Sequence, residues 1–134
     1  MDISSFDDLL RAARAQPEPQ RLLFVFAGAD LPEDSTPEQR ARFEAGLGGA
    51  LTPLMSVDKD PEQIAGFAAL VDEARLYAPG WAIVFVAGLA GREGRAPGSD
   101  EADRALQQMI ASIKSGMFRA YIPFDRAGQP VVLG

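Results

Sequence analysis

The sequence predicts a single α/β domain: a mixed, largely parallel sheet of about five strands flanked by four helices, in the order αβαβαβαββ. Apolar stripes of helical period alternate along the chain with short runs that are apolar on both faces. Two of these runs resemble each other, RLLFVFAGAD (21–30) and WAIVFVAGLA (81–90). Such runs are typical of strands that helices cover on both sides. A length of 134 residues suits one domain, 1–134.

The first half of the chain contains two helix start signals, and each predicted helix is followed by a strand-like run. Ser5 with Asp8 is a capping-box pattern, and Thr36-Pro37 combines an N-cap hydroxyl with proline at the first helical position. Pro53 indicates an edge or irregular position in the second strand, because proline cannot donate to a ladder. The predicted elements are helix 5–15, strand 22–29, helix 36–47 and strand 50–57.

The second half repeats this alternation. Asp60-Pro61 starts the third helix, and a clean amphipathic stripe from Ala102 to Ile113 predicts the fourth, which Gly116 ends. The central strand WAIVFVAGLA lies between these helices. MFRAYIPF (117–124) then predicts a strand, and PVVL (130–133) predicts a short closing strand after a turn.

The two halves also match each other residue by residue, which predicts half-repeats over 5–59 and 66–126. Phe6 corresponds to Phe67, and Phe24 to Phe85, at a constant offset of 61 residues (67 − 6). Downstream, VDK (57–59) corresponds to FDR (124–126). A true αβαβ duplication predicts a pseudo-twofold axis between the halves. The alternative is that any two βα units share such a hydrophobic pattern.

Composition excludes several classes of function. The chain has no cysteine and no histidine, so it lacks thiolate and imidazole nucleophiles, a redox pair and the usual zinc ligands. A net charge of −6 argues against nucleic-acid partners. The acidic N-terminus is unlike a secretory signal, and neither apolar run reaches the roughly 18 residues that a membrane span requires. We therefore predict a cytoplasmic protein with no cofactor, no metal site and no membrane partner.

The loop before the fourth helix is the strongest candidate for a ligand site. GLAGREGRAPGSD offers two arginines between glycines and a serine at a predicted helix N-cap, which suits a phosphate or carboxylate. The glycine spacing matches neither a P-loop nor a dinucleotide fingerprint, and the alternative is a mobile connection. In a parallel sheet the carboxyl ends of the strands meet, which adds Asp30 or Asp58 as an acid–base group. The predicted ligand-binding residues are Gly91, Arg92, Gly94, Arg95, Ser99, Asp30 and Asp58.

Acidic side chains elsewhere allow two further hypotheses. Asp30, Glu33 and Asp34 are opposite in sign to the two arginines, so the loops that carry them are hypothesised to pair across a dimer or across the internal axis. A second set, Asp58, Asp60 and Asp125, has the chemistry to hold a hard cation. Helix capping and turn formation are the structural alternatives for that set.

Five segments resemble a family of small proteobacterial proteins of uncharacterised function: QPEPQRLLFVFAGADLP, TPEQRARFEAG, TPLMSVDK, GREGRAPGS and IPFDRAGQPV. The resemblance covers essentially the whole chain, and members are often labelled "ribonucleotide reductase subunit alpha". The catalytic subunit of that enzyme needs a radical-forming cysteine and a reducing cysteine pair, and this chain contains no cysteine. The resemblance therefore implies no catalytic residue here.

Two classes of function remain open from the sequence. The first is a non-catalytic module that self-associates as a homodimer or binds a protein partner, because the residues suit packing better than bond-making. The alternative is a protein or enzyme that binds an anionic metabolite or nucleotide through the glycine- and arginine-rich loop 88–100. Under this alternative, Asp30 or Asp58 is the acid–base group, and the first class assigns no catalytic residue.

Overall fold

The computed structural model describes residues 5–30, 36–38 and 50–131. In this part of the chain, three helices and a short 3₁₀ helix accompany four strands. The helices are α1 (Phe6–Arg14), α2 (Phe67–Tyr77) and α3 (Ser99–Lys114), and the 3₁₀ helix is Pro61–Gln63. The strands are β1 (Gln20–Asp30), β2 (Ala50–Lys59), β3 (Ile83–Ala90) and β4 (Ile122–Phe124).

The four strands form one sheet in the order β2-β1-β3-β4, and every neighbouring pair is antiparallel. The prediction of a largely parallel sheet of about five strands was therefore wrong. A run that is apolar on both faces indicates that a strand is covered on both sides, but it does not indicate whether the strand is parallel or antiparallel to its neighbours. An antiparallel sheet with helices on both faces gives the same pattern.

Helices cover both faces of the two central strands, as the two decapeptides predicted. Leu22, Phe24 and Phe26 of β1 point to the face covered by α1 and α2, which we call the first face. Leu23 and Val25 point to the second face, which α3 covers. Successive side chains of a strand alternate between faces, and helices cover both faces, so both sets are buried. β1 and β3 are the two central strands of the sheet.

Aromatic side chains dominate the core of the first face. The ring of Phe6, on α1, lies 6.0 Å from that of Phe24, 5.2 Å from that of Phe67 and 5.7 Å from that of Phe124. These tilted and edge-on contacts add about 0.5–1.5 kcal/mol per pair to the gain from burial. They fix α1 and α2 on the same face of the sheet.

The first helix follows its prediction, but the third begins later than expected. The Ser5 hydroxyl accepts a hydrogen bond from the N–H of Asp8, as the capping pattern required. Asp60 also caps as predicted, yet only the 3₁₀ helix Pro61–Gln63 follows it. The Arg14 guanidinium donates to the carbonyls of Pro61 and Ile64, at 3.0 and 2.7 Å. This contact from α1 holds the segment outside a continuous helix, and α2 begins at Phe67 instead of Pro61.

The C-terminal strands are shorter than predicted. Only Ile122–Phe124 of the expected strand 117–124 joins the sheet, because the chain turns between Phe118 and Tyr121. Of the expected closing strand, Pro130 forms a bridge with Phe124 and Val131 donates to the carbonyl of Pro123, and the last two residues lie outside the described part. The predicted second helix, 36–47, also falls largely outside the described residues.

The register corrects one correspondence between the predicted half-repeats. Phe24 points to the first face and Phe85 to the second, so an offset of 61 residues cannot relate these two strand positions. Phe24 pairs with Val57 on β2, whereas Val84 pairs with Phe124 on β4. If Phe24 is related instead to Val84, the offset in this strand is 60 (84 − 24). Their partners on the neighbouring strands, Val57 and Phe124, are then equivalent, so VDK still matches FDR. The duplication itself stays a prediction.

None of the helices in the described residues combines the length and the apolar character that crossing a bilayer demands.

Candidate functional site

The loop between β3 and α3 contains a two-residue hairpin. The backbone N–H of Arg92 donates to the carbonyl of Arg95, and the N–H of Arg95 donates to the carbonyl of Arg92, both at 2.9 Å. Glu93 and Gly94 form the tip with φ values of 53° and 77°, and a type I′ turn requires positive φ at both of these positions. We call residues 92–95 the arginine hairpin.

The arginine hairpin is attached to the segment that precedes β1. The N–H of Gly91 donates to the carbonyl of Pro19 at 2.8 Å, and the N–H of Gly94 donates to the carboxylate of Glu18 at 2.8 Å. The Gly91–Pro19 bond continues the antiparallel register of β1 and β3 beyond the end of the sheet, whereas the second bond joins the Glu18 side chain to the tip of the hairpin. One backbone bond therefore ties the segment at its base and one carboxylate bond ties it at its tip, and the alternative of a mobile connection stays a prediction.

Arg92 and Arg95 lie directly opposite each other across the hairpin. In a hydrogen-bonded antiparallel pair the Cα atoms are about 5.5 Å apart and both side chains leave the same face of the ribbon. Like charges directly opposite each other destabilise such a pair. Both side chains are exposed, and neither guanidinium forms an ion pair or a hydrogen bond with another described residue. The hairpin thus presents two guanidinium groups without a direct ion-pair partner among the described residues, although the carboxylates of Glu93 and Glu18 belong to the same region.

The arginine hairpin forms one wall of a shallow pocket of about 250 Å³. Two acidic side chains also line this pocket: Glu93 at the tip of the hairpin, and the half-buried Glu101 in the first turn of α3. Neither was among the predicted site residues. The available signal was Gly94, since glycine is the usual second residue of a type I′ turn, although glutamate is unusual as the first. The full lining is Ala90, Gly91, Arg92, Glu93, Arg95, Ala96, Pro97 and Glu101.

Ser99 does not have the capping role that was predicted for it. Gly98 is the N-cap of α3, with extended φ and ψ of −73° and 164°, and no side chain caps this helix. Ser99 is the first helical residue, is exposed, and does not line the pocket. Asp100 and Glu101 place negative charge in the first turn, where it interacts favourably with the helix dipole.

Asp58 lies at the same end of the sheet as the arginine hairpin but belongs to a separate contact. β2 and β3 run in the same direction, because each is antiparallel to β1 between them. Their carboxyl ends therefore meet, as predicted for this pair. The Asp58 carboxylate forms an ion pair with Arg21 and does not line the pocket. Its geometry is that of a structural contact between β1 and β2.

Asp30 lies at the opposite end of the sheet. It is the last residue of β1, nine positions beyond Arg21 (30 − 21), which is a span of about 30 Å. The prediction that placed Asp30 beside the arginines assumed parallel strands, and the antiparallel sheet separates them. The same distance excludes a contact between Asp30 and the hairpin across the internal axis, and Glu33 and Asp34 lie outside the described residues.

The second acidic set is dispersed and has structural roles. The Asp60 carboxylate accepts from the N–H of Glu62 at 2.9 Å, as a helix cap does. The Asp125 carboxylate accepts from the N–H groups of Ala127 and Gln129 and closes a turn after β4. Among the described residues, no group of three acidic side chains is arranged to hold a metal ion.

A larger groove of about 520 Å³ separates α1 from the start of α2. It is also lined by two arginines, but these have partners. Arg14 donates to the carbonyls of Pro61 and Ile64, and Arg11 forms an ion pair with Asp8. Because both guanidinium groups are engaged within the chain, this groove offers a ligand less than the arginine hairpin does.

No protein-family model matches this chain, and comparison with curated proteins and with solved structures finds no similar protein. The resemblance to the proteobacterial family therefore stays a prediction.

Proposed function

We propose that this protein is a binding protein for a small anionic ligand, and that the arginine hairpin is its binding site. The observation that supports this most directly is the juxtaposition of Arg92 and Arg95 across a hydrogen-bonded pair, while neither guanidinium forms an ion pair with a described residue. An anion that contacts both guanidinium groups removes their mutual repulsion. Paired arginines also present the planar donors that suit carboxylate and phosphate oxygens.

Rigidity of the hairpin supports the same proposal. Its two internal bonds and its bonds to Glu18 and Pro19 fix the backbone before any ligand arrives. Binding then orders only the two side chains, which lowers the entropic cost of association. The pocket has a volume of about 250 Å³, which limits the proposed ligand to a small molecule. We propose binding without catalysis, because the groups that line the pocket suit recognition more than bond-making.

A thermal-shift panel tests this proposal. Inorganic phosphate, ethyl phosphate and acetate serve as probes, because a ligand that binds only the folded state raises Tm by mass action. We expect at least one probe to raise the Tm of the wild type and to have no effect on the double variant R92Q/R95Q. The variant R104Q/R119Q removes the same charge from two other exposed arginines and should respond as the wild type does. Equal responses of all three proteins would overturn the proposal.

Self-association through β2 is the second candidate. β2 is an edge strand of ten residues, and its outer edge pairs with no described residue, whereas Val131 donates to Pro123 and covers the edge of β4. Leu54 on β2 is 44% exposed. Pro53 and the bulge beside it interrupt the edge, which is why this candidate comes second. Light scattering with Leu54→Lys tests it: the wild type should be a dimer and the variant a monomer, and a monomeric wild type contradicts it.

A further inference from the structure

The charges that line the pocket point to a narrower class of ligand. Arg92 and Arg95 contribute two positive charges, and Glu93 and Glu101 contribute two negative charges to the same pocket of about 250 Å³. A simple anion placed there gains attraction from the arginines but is repelled by both carboxylates. A ligand that carries an anionic group and an ammonium group interacts favourably with both sets.

We propose that the arginine hairpin site binds a small zwitterion, with its carboxylate or phosphate on Arg92 and Arg95 and its ammonium group on Glu101. This inference rests on the proposed function, because it assigns the second half of the ligand at the same site. An ammonium group has three donors and no acceptor, and a carboxylate offers only acceptors, so the two are complementary.

Glu101 is better placed than Glu93 to receive the ammonium group. Glu101 lies on α3 and is half-buried, so the helix backbone fixes the position from which its side chain enters the pocket. Glu93 is exposed at the tip of the turn. Glu93 forms the turn with its backbone at positive φ, and its exposed side chain is less firmly placed than that of Glu101. Its carboxylate still contributes negative charge to the pocket.

The described contacts leave Glu101 available for this role. Its side chain forms no ion pair or hydrogen bond with another described residue. Asp100, beside it, already supplies an acidic group to the first turn of α3. A bound ammonium group would give the Glu101 carboxylate a direct ionic partner, which the described residues do not supply.

Matched pairs of small molecules test the inference by calorimetry or thermal shift. Ethyl phosphate and phosphoethanolamine differ by one ammonium group, and so do propionate and β-alanine. We expect the zwitterion of at least one pair to bind the wild type about fivefold more tightly than its plain anion, which is the size of one exposed ion pair. Glu101→Gln should abolish this preference while the plain anion still binds. Asp103→Asn, the same change at an exposed position of α3 outside the pocket lining, should preserve it.

The outcomes separate this inference from the proposed function. If the plain anion and the zwitterion bind equally well in both pairs, or if Glu101→Gln leaves the preference intact, the zwitterion assignment is wrong and anion binding stands. If neither member of either pair binds, both proposals fail. A preference that Glu101→Gln removes and Asp103→Asn retains supports the inference.

Discussion

A Cβ atom on Gly91 would lie 1.9 Å from the carbonyl oxygen of Arg95 and 2.9 Å from that of Pro19. The first of these distances is far shorter than any contact between non-bonded atoms, and both neighbours are backbone. The arginine hairpin thus folds back so closely on the end of β3 that only glycine fits there.

Gly91→Ala should therefore disrupt the arginine hairpin. We expect a loss of about 1–3 kcal/mol in the free energy of unfolding, the usual cost of overpacking, together with loss of anion binding. Gly98→Ala is the matched control, because a Cβ on Gly98 meets no atom within 4 Å and its φ is −73°. Denaturant unfolding of the two variants checks this, and equal stabilities would contradict the account of the hairpin.

Glu93→Asn should stabilise the protein. Glu93 has a φ of 53°, and asparagine followed by glycine is the favoured pair in a type I′ turn. Relief of this backbone strain should raise the free energy of unfolding by about 1 kcal/mol. Glu93→Thr removes the same charge but adds a β-branched side chain, so it should destabilise the turn. A fall in Tm for the asparagine variant would show that the tip is not strained as the φ value implies.

The ion pair between Arg21 and Asp58 should contribute to stability and not to binding. Its side chains are 29% and 22% exposed, so water screens much of the attraction between them. A double-mutant cycle with Arg21→Gln and Asp58→Asn should give a coupling energy of about 0.5–1 kcal/mol. Affinity for an anionic probe should stay unchanged in each variant. A large loss of binding on Asp58→Asn would instead restore Asp58 to the ligand site.

The two serines at predicted helix starts should behave differently. Ser5 accepts the N–H of Asp8 at 3.3 Å and caps α1, whereas Ser99 lies inside α3 and caps nothing. Ser5→Ala should cost about 1 kcal/mol, the usual effect of losing an N-cap. Ser99→Ala should change the free energy of unfolding much less, which chemical denaturation will show. Equal losses would mean that Ser99 supports α3 in a way that the structure does not display.

The sequence predicted burial well and strand direction poorly. Phe24, Val25 and Phe85 lie in runs that are apolar at every position, and such runs indicate strands covered on both faces. Side chains alternate between faces in the same way in parallel and antiparallel strands, so the hydrophobic pattern does not distinguish the two strand directions. The placement of Asp30 beside the arginines depended on that direction and was wrong for this reason.

Tertiary contacts account for the other differences. Asp60 does cap a helical turn, but Arg14, on a helix far away in sequence, contacts the carbonyls that follow it, and α2 begins only at Phe67. The arginine hairpin looked like an irregular loop, because glutamate is an unusual residue at positive φ. The sequence thus identified Arg92 and Arg95 as a pair, but it did not reveal the turn that sets them side by side.

The central claim is that Arg92 and Arg95 together bind one anionic group. The most direct measurement is NMR of the arginine side-chain Nε–Hε groups during a titration with ethyl phosphate. We predict that the signals of Arg92 and Arg95 shift along one shared saturating curve, while those of Arg104 and Arg119 stay in place. Uniform, non-saturating shifts of all four signals would show only non-specific ion association and would contradict the claim.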